Sequence, residues 1–444
     1  MHIQKTNFSL VILAAFFAVI TPLHALLNID ITQGTIQPMP IAIVDFTSDG
    51  GSYSDNQGDL TTAIPQIITA DLKRSGLFSP LDPNAFIQNA DEAYTAPRHA
   101  DWRVLNTQAL VVGKISEQGN QIRMEFQLYD VLTEQRIGGF ALIGDQKDWR
   151  RVAHKFADAI YKAITGEEGY FDTRIVYVAE SGSGRFLRTR LAIIDQDGAN
   201  HRYISDGKNL VMTPRFSPNM HQITFMDYGS NRKTPRVYVM DTNSLQKRQL
   251  GHFPGMSFAP RFSPNGENVI MSMSQQGNSS IYVMNLSQGV ARRLTTGPVI
   301  DTSASYSPKG DQIIFNSDRG GNQQLYTMNA DGTNIQRISF GGGRYATPVW
   351  SPRGDLIAFT KMEGGQFYIG VMRPDGTGER LVAQGYLVEE PTWAPNGRIL
   401  IFTRQERKSK SQLYMVDITG YNEQRILTPN SENALSAAWS PLIP

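Results

Sequence analysis

Residues 301–340 read DTSASYSPKGDQIIFNSDRGGNQQLYTMNADGTNIQRISF, and this stretch decides the fold. It contains Tyr306-Ser307-Pro308, then apolar runs at 313–315 and 325–328, and near its end Gln336-Arg337-Ile338. An Asp-Gly pair follows the second apolar run, as is typical of a β-hairpin turn. The stretch therefore predicts four short antiparallel strands joined by tight turns.

The same pattern of an aromatic residue, Ser or Ala, and Pro occurs six times in the second half of the chain. Successive copies lie 43 to 46 residues apart, which is the length of a four-stranded propeller blade. The copies are Phe216-Ser217-Pro218, Phe262-Ser263-Pro264, Tyr306-Ser307-Pro308, Trp350-Ser351-Pro352, Trp393-Ala394-Pro395 and Trp439-Ser440-Pro441.

The first and last repeats are each incomplete. The unit that begins at Thr173 has no aromatic-Ser-Pro strand of its own, and the copy at 437–441 has no unit after it. The two parts complement each other, so the C-terminal strand is expected to complete the first blade. The prediction is an all-β six-bladed β-propeller over residues 169–444, closed by the C-terminal strand and free of open sheet edges.

The first half predicts a separate α/β domain over residues 40–168. Strands are indicated at 41–46, 109–115 and 136–143, and a fourth alternates apolar and polar residues from Ile122 to Leu128. Two helices carry apolar stripes, the second ending at Gly166. The stripes are Leu60, Ile64, Ile67, Ile68 and Leu72, and Trp149, Val152, Phe156, Ile160 and Ile164.

The N-terminal residues 1–25 have the order of a secretory signal peptide. Lys5 precedes an apolar run at 8–20, and cleavage is expected between Ala25 and Leu26. The alternative is an uncleaved anchor, but the run is shorter than the ~20 residues that span a bilayer. Residues 26–39 are expected to be a partner-binding segment that orders on a partner, or else one that packs back onto the domain.

Composition excludes several classes of function. The chain has no cysteine, so it has no disulfide and no thiol chemistry. Basic and acidic residues balance once Lys5 is removed, which argues against nucleic acid or an anionic membrane as the main partner. Residues 26–170 carry 12 basic and 19 acidic side chains, whereas 171–444 carry 29 and 22. This asymmetry either helps to dock domains and partners or has no role.

Catalytic, metal-binding and nucleotide-binding motifs were not found. The seven histidines lack zinc-site spacing, and no Gly-x-Ser-x-Gly elbow occurs. Gly341-Gly342-Gly343 is interpreted as a flexible loop and residues 195–198 as a turn instead of a calcium loop. Arg215 and Arg261 either face the central channel or pair between blades. No catalytic residue, cofactor or metal ligand is predicted.

The aromatic-Ser-Pro turn, a Tyr-Val-Met third strand and an Arg-rich fourth strand resemble the repeats of the TolB family, as does the domain order. The resemblance implies a periplasmic, monomeric scaffold of the Tol-Pal system that supports outer-membrane integrity and cell division. It implies binding of the lipoprotein Pal by the propeller and of TolA by the mature N-terminus. The residues expected to contact TolA are Leu26, Asp30, Thr32 and Gly34.

The Pal surface is expected where loops from outer to inner strands gather around one mouth of the channel. Phe258 and Tyr345 are the expected aromatic anchors, on a rim burying about 1,600 Å² in total. The predicted Pal-binding residues are Met256, Ser257, Phe258, Ala259, Asp301, Thr302, Arg344, Tyr345, Glu389 and Glu390.

Two other classes of function remain open on the sequence. One is a periplasmic propeller enzyme that cleaves peptides or glycans with channel carboxylates, and the other is a propeller that binds a small ligand or a metal. An enzyme needs a convergent acid/base pair. Glu389 and Glu390 are adjacent on the chain, but neighbours in an extended segment are expected to point apart.

Overall fold

The computed structural model describes residues 37–55, 58–229 and 234–443. They form an N-terminal α/β unit followed by a six-bladed β-propeller, so the predicted fold class is confirmed. The expected signal peptide, 1–25, lies outside the described residues. Within the described ranges, no helix is both long and apolar enough to cross a membrane.

The N-terminal unit is built on a mixed sheet. The strands of the unit are β1 (Met39–Ile43), β2 (Thr47–Ser48), β3 (Ser54–Asp55), β4 (Gly58–Asp59), β5 (Phe78–Pro80), β6 (Ala109–Gln118), β7 (Gln121–Asp130), β8 (Gln135–Gly138) and β9 (Ala141–Gly144). β3 and β4 pair only with each other and lie outside the mixed sheet. The order across the sheet is β5-β1-β6-β7-β8, with β2 paired to β6 and β9 to β7. β1 runs parallel to both neighbours, and the remaining large pairings are antiparallel.

Two long helices pack together beside this sheet. The helices of the unit are α1 (Leu60–Arg74), α2 (Ala90–Thr95), α3 (His99–Val104) and α4 (Trp149–Thr165). Asp59 caps α1 by accepting a hydrogen bond from the Thr61 backbone nitrogen at 2.9 Å. Gly166 ends α4 in the left-handed conformation, with φ of 74°. The apolar stripes of α1 and α4 are buried in one core, as predicted.

The structure differs from the sequence prediction in two places. The single strand expected at 136–143 is split into β8 and β9 at Gly139, where a Cβ would lie 2.4 Å from the Phe126 carbonyl oxygen. Helices α2 and α3 were not predicted. Each has only six residues, too few to show an apolar period, and each buries one side chain, Ala93 and Trp102.

The propeller consists of six four-stranded sheets. The first blade contains β10 (Arg174–Ser181), β11 (Arg188–Asp195) and β12 (Arg202–Tyr203). The second to fourth contain β13 (Val211–Phe216), β14 (Gln222–Asp227), β15 (Arg236–Asp241) and β16 (Lys247–Gln249); β17 (Met256–Phe262), β18 (Asn268–Gln275), β19 (Asn278–Asn285) and β20 (Ala291–Arg293); β21 (Asp301–Tyr306), β22 (Gln312–Ser317), β23 (Gln324–Asn329) and β24 (Gln336–Arg337). The fifth and sixth contain β25 (Arg344–Trp350), β26 (Ile357–Glu363), β27 (Gln366–Met372) and β28 (Arg380–Gly385); β29 (Leu387–Trp393), β30 (Ile399–Gln405), β31 (Gln412–Asp417) and β32 (Gln424–Arg425).

The ring closes through the last strand, β33 (Asn433–Trp439). β33 pairs antiparallel with β10 and becomes the inner strand of the first blade, in the order β12-β11-β10-β33. Trp439 lies opposite Ile175, and Ala438 opposite Val176. The predicted closure by the C-terminal strand is confirmed.

Every inner strand carries a β-bulge that the sequence did not predict. The bulge falls three residues before the repeated aromatic, where a residue other than glycine has φ between 47° and 57°. The ladder register shifts at each of these points. The six residues are Thr213, Ala259, Ser303, Thr347, Glu390 and Ser436. The bulge bends each inner strand and interrupts the alternation of side chains along it.

One apolar core joins the N-terminal unit to the first and sixth blades. It includes buried residues of α1 and α4 together with Ile175 of β10 and Leu413 of β31. The rings of Tyr170 and Trp439 meet edge to face with centroids 5.7 Å apart. Trp439 Nε1 also donates a 2.7 Å hydrogen bond to Thr173 Oγ1. The N-terminal unit is therefore packed over the seam where the ring closes.

Candidate functional site

The channel has two mouths, which are named here by the chain features around them. The start-side mouth is where the inner strands β13, β17, β21, β25, β29 and β33 begin, and the turn-side mouth is where the aromatic-Ser-Pro turns end them. All the predicted Pal-binding residues belong to inner strands at the start-side mouth, and none belongs to a loop. The expectation of loops was wrong because pairing with the second strand continues beyond each bulge.

The predicted Pal-binding residues differ widely in exposure. Met256 and Arg344 are exposed, and Met256 retains 41% of its accessible surface. Phe258, Ala259, Thr302, Glu389 and Glu390 are partly buried, whereas Ser257, Asp301 and Tyr345 are fully buried. Only the exposed and partly buried side chains can contact a partner in this conformation.

The three buried residues have structural contacts. Ser257 Oγ accepts a 3.0 Å hydrogen bond from the Val237 backbone nitrogen. Arg319 Nη2 donates to both carboxylate oxygens of Asp301, at 2.9 and 3.1 Å. Ser257 therefore joins the second and third blades and Asp301 stabilises the fourth, and neither forms part of the rim.

Tyr345 was wrongly predicted as an aromatic anchor. Its ring packs in the core of the fifth blade against Phe359, with centroids 5.3 Å apart. Its hydroxyl donates a 2.8 Å hydrogen bond to Glu379, which also pairs with Lys361 at 3.0 Å. The bulge at Thr347 changes which face of the strand an earlier residue occupies, so simple alternation did not predict this burial.

Exposed apolar side chains were missed at the same mouth. Ile300, Phe340 and Tyr386 lie just before β21, β25 and β29, and their exposed fractions are 39%, 73% and 50%. With Met256 before the bulge of β17, they supply one large apolar side chain from each of four consecutive blades. The sequence signal was a lone large apolar residue in each connection that precedes an inner strand.

Two of these side chains are held by cations. The Arg337 guanidinium carbon lies 5.2 Å from the Phe340 ring centroid, and that of Arg407 lies 5.5 Å from the Tyr386 centroid. Such contacts restrict the rings before any partner arrives, which reduces the entropy lost on binding.

Glu389 and Glu390 form a strained acidic pair on β29. Glu390 has φ of 55°, so the two side chains do not follow the alternation of an extended segment. Burial and the charge of Glu390 raise the pKa of Glu389 to about 7. Glu390 Oε2 is buried without a hydrogen-bond partner among the described residues.

A buried polar network between the two units was not predicted from the sequence. His154 Nδ1 lies 2.6 Å from Asp71 Oδ2, and Asp71 also accepts a 2.8 Å hydrogen bond from Gln196 of the propeller. Arg150 pairs with Asp197, so α4 reaches the same hairpin of the first blade. These residues lie too far apart in the sequence for any local spacing to indicate them.

Part of this network has metal-ligand spacing. Donor atoms of His154, Asp195 and Asp197 all lie within 4.8 Å of one another. Asp197 is already paired with Arg150, and Asp195 accepts a 2.6 Å hydrogen bond from Asn200. The Gly198 backbone nitrogen bonds to the Asp195 carbonyl oxygen, so residues 195–198 form a turn, as predicted.

The residues expected at signal cleavage and TolA contact lie outside the described residues. They are Ala25, Leu26, Asp30, Thr32 and Gly34.

Comparison with known proteins shows which family models and relatives this chain matches. Residues 161–443 match the family model described as the TolB beta propeller domain, and residues 27–137 match the TolB amino-terminal domain. The Tol-Pal system protein TolB of Paramagnetospirillum magneticum (strain ATCC 700264 / AMB-1) is 54% identical over 242 residues. That match covers 54% of this chain and 53% of the relative, so the chain spans about half the length of this curated relative.

Solved structures agree with the family match. The crystal structure of TolB from Acinetobacter baumannii has a TM-score of 0.82 and 28% identity, covering 93% of this chain and 99% of that one. The Kuenenia stuttgartiensis hydrazine synthase shares only the fold, with a TM-score of 0.52, 10% identity and coverage of 64% of this chain and 48% of that one. Since the propeller model matches more than half of the chain and the amino-terminal model precedes it, the chain belongs to the TolB family.

Proposed function

We propose that this protein is a periplasmic protein-protein interaction scaffold of the Tol-Pal system, supporting outer-membrane integrity and cell division. The start-side mouth would bind the lipoprotein Pal, and the N-terminal segment 26–39 would contact TolA. Family membership supports the Tol-Pal assignment and favours a non-enzymatic protein over the enzyme alternative.

The observation that carries the Pal proposal is the apolar rim. Met256, Ile300, Phe340 and Tyr386 remain exposed on four consecutive blades around one mouth. Exposed large apolar side chains around one opening, with polar residues such as Arg344 and Thr302 between them, are typical of a protein interface.

The experiment is capture of purified Pal by charge variants of the rim. Ile300→Glu, Thr302→Glu and Phe258→Glu are each expected to weaken Pal binding at least tenfold, because each puts a charge into a desolvated contact. Asn243→Glu, in an exposed turn at the opposite mouth, is the matched control and should bind like the wild type. The thermal unfolding midpoint of Ile300→Glu should stay near the wild-type value.

Unaltered Pal affinity in all three rim variants would contradict the site. The TolA proposal is tested separately by deleting residues 26–35 from the mature protein. The deletion should abolish TolA capture, and retention of TolA would contradict that part of the proposal.

A further inference from the structure

The turn-side mouth opens into a cavity of about 490 Å³ that the proposed Pal interface does not use. Residues from the aromatic-Ser-Pro turns of all six blades line it, together with Arg215 and Arg261. This volume falls in the usual range for small-ligand sites, roughly 300 to 1,000 Å³.

The two arginines occupy equivalent positions on neighbouring blades. Each directly precedes the repeated aromatic, on β13 and β17, so the two residues line adjacent parts of the cavity wall. The equivalent residues of the other inner strands carry no charge; they are Ser305, Val349, Thr392 and Ala438. The cavity is therefore cationic on one side only.

The arginine charges lack close counter-ions. Over residues 37–55, 58–229 and 234–443, no carboxylate forms an ion pair within 4.0 Å of Arg215 or Arg261. Arg215 donates a 2.7 Å hydrogen bond to its neighbour, the Pro214 carbonyl oxygen. Desolvated charges are normally paired because an unpaired charge loses its hydration without compensation.

The pKa shifts of the two arginines also indicate that their charges are poorly compensated. Burial and the nearby charge of Arg215 lower the pKa of Arg261 well below its ordinary value, and burial lowers the pKa of Arg215. The charge of Glu390 opposes both shifts without reversing either of them. Arginine nevertheless stays protonated in proteins, and two like charges are left side by side.

We infer that this cavity is a binding site for a carboxylate ligand, which Arg215 and Arg261 hold between them. Guanidinium groups bind carboxylates through paired N–H donors. The surrounding aromatic and proline side chains favour an organic anion over an inorganic one. The carboxylates would belong either to a free polycarboxylic acid or to an acidic peptide segment.

The test is calorimetric titration of the purified protein at low salt with four probes. Citrate represents a free polycarboxylate, and an acetylated, amidated tri-aspartate peptide represents an acidic segment. The matching tri-asparagine peptide has the same backbone without charge, and inorganic phosphate represents a simple anion. Binding of citrate alone, of tri-aspartate alone, or of both supports the site and identifies the source of the carboxylate.

The arginines are tested with Arg215→Gln and Arg261→Gln. Each is expected to weaken binding of the active probe at least tenfold, and Arg248→Gln, an exposed arginine on β16, should not. The thermal unfolding midpoints of the two variants should equal or exceed the wild-type value, because each removes a desolvated charge. No binding by either carboxylate probe, equal binding of tri-asparagine or phosphate, or wild-type affinity in both Gln variants would overturn the proposal.

Discussion

His154 is charged in a place where burial alone would keep it neutral. Its side chain is 3% exposed, and burial lowers its pKa, but Asp71 and Asp197 outweigh this and raise the pKa to about 9. Asp71 belongs to α1 and Asp197 to the first blade, so one imidazolium interacts with both units. Its protonation therefore stabilises the contact between them.

This arrangement predicts a pH dependence of stability. The folded-state pKa lies above the unfolded value of about 6.5, so the contribution is complete below about pH 6.5 and is lost as the pH rises through about 9. Between pH 7.5 and 9.5 the wild type should lose about 2 kcal/mol of unfolding free energy. Asp158 and Glu389, each with its pKa raised to about 7, should finish titrating near the lower limit.

Thermal unfolding at several pH values checks this expectation. His154→Gln should lower the midpoint at pH 7.5 and flatten its decline up to pH 9.5. His221→Gln, an exposed histidine, should retain the wild-type slope. An identical slope in His154→Gln would show that another group causes the dependence.

The repeated bulge is the main departure of the inner strands from the sequence prediction. Left-handed backbone at residues other than glycine costs roughly 1 kcal/mol each, and six such residues occur at one position of the repeat. These residues are Thr, Ala, Ser and Glu, which have no common preference for a turn. The residue type at this position therefore did not predict the bulge. The bulge also explains why the side-chain directions predicted for Tyr345 and Glu390 were unreliable.

Glycine should relieve this strain. Ala259→Gly at a bulge is expected to raise the thermal unfolding midpoint slightly, because glycine adopts positive φ without a Cβ clash. Ala304→Gly, at a fully buried position of β21 next to a bulge, should lower it by removing a packed methyl group. Equal destabilisation by both substitutions would mean that the left-handed backbone at Ala259 is not strained.

At the scale of the whole molecule, the architecture could be predicted because it arises from a pattern that repeats along the sequence. Each aromatic-Ser-Pro copy marks one inner strand, and the unmatched copy at Trp439 indicated the closure that β33 provides. The contacts between α4 and the hairpin at Asp197 could not be predicted, since they depend on how two units dock. The apolar rim could not be predicted either, because the exposure of its side chains depends on which loops the ring brings together.

Removing the end of the closing strand should open the ring. Deleting residues 437–444 removes Ala438 and Trp439, which pair with β10, and should expose the amides of β10 to hydrogen exchange and abolish Pal capture. Deleting residues 442–444 leaves β33 intact and is the matched control. Full protection of β10 in the longer deletion would mean that the first blade does not need residues 437–439 of its inner strand.

The packing of the N-terminal unit over the seam has a mechanical consequence. The ring is completed by pairing between the first and last strands of the propeller, and that joint is β10 against β33. Tyr170 and Thr173 contact Trp439 and belong to the segment that connects α4 to β10. A force applied to the N-terminus is therefore transmitted through this segment. We therefore expect a pulling force on the N-terminus to act on the pairing of β10 with β33 before it acts on any other blade.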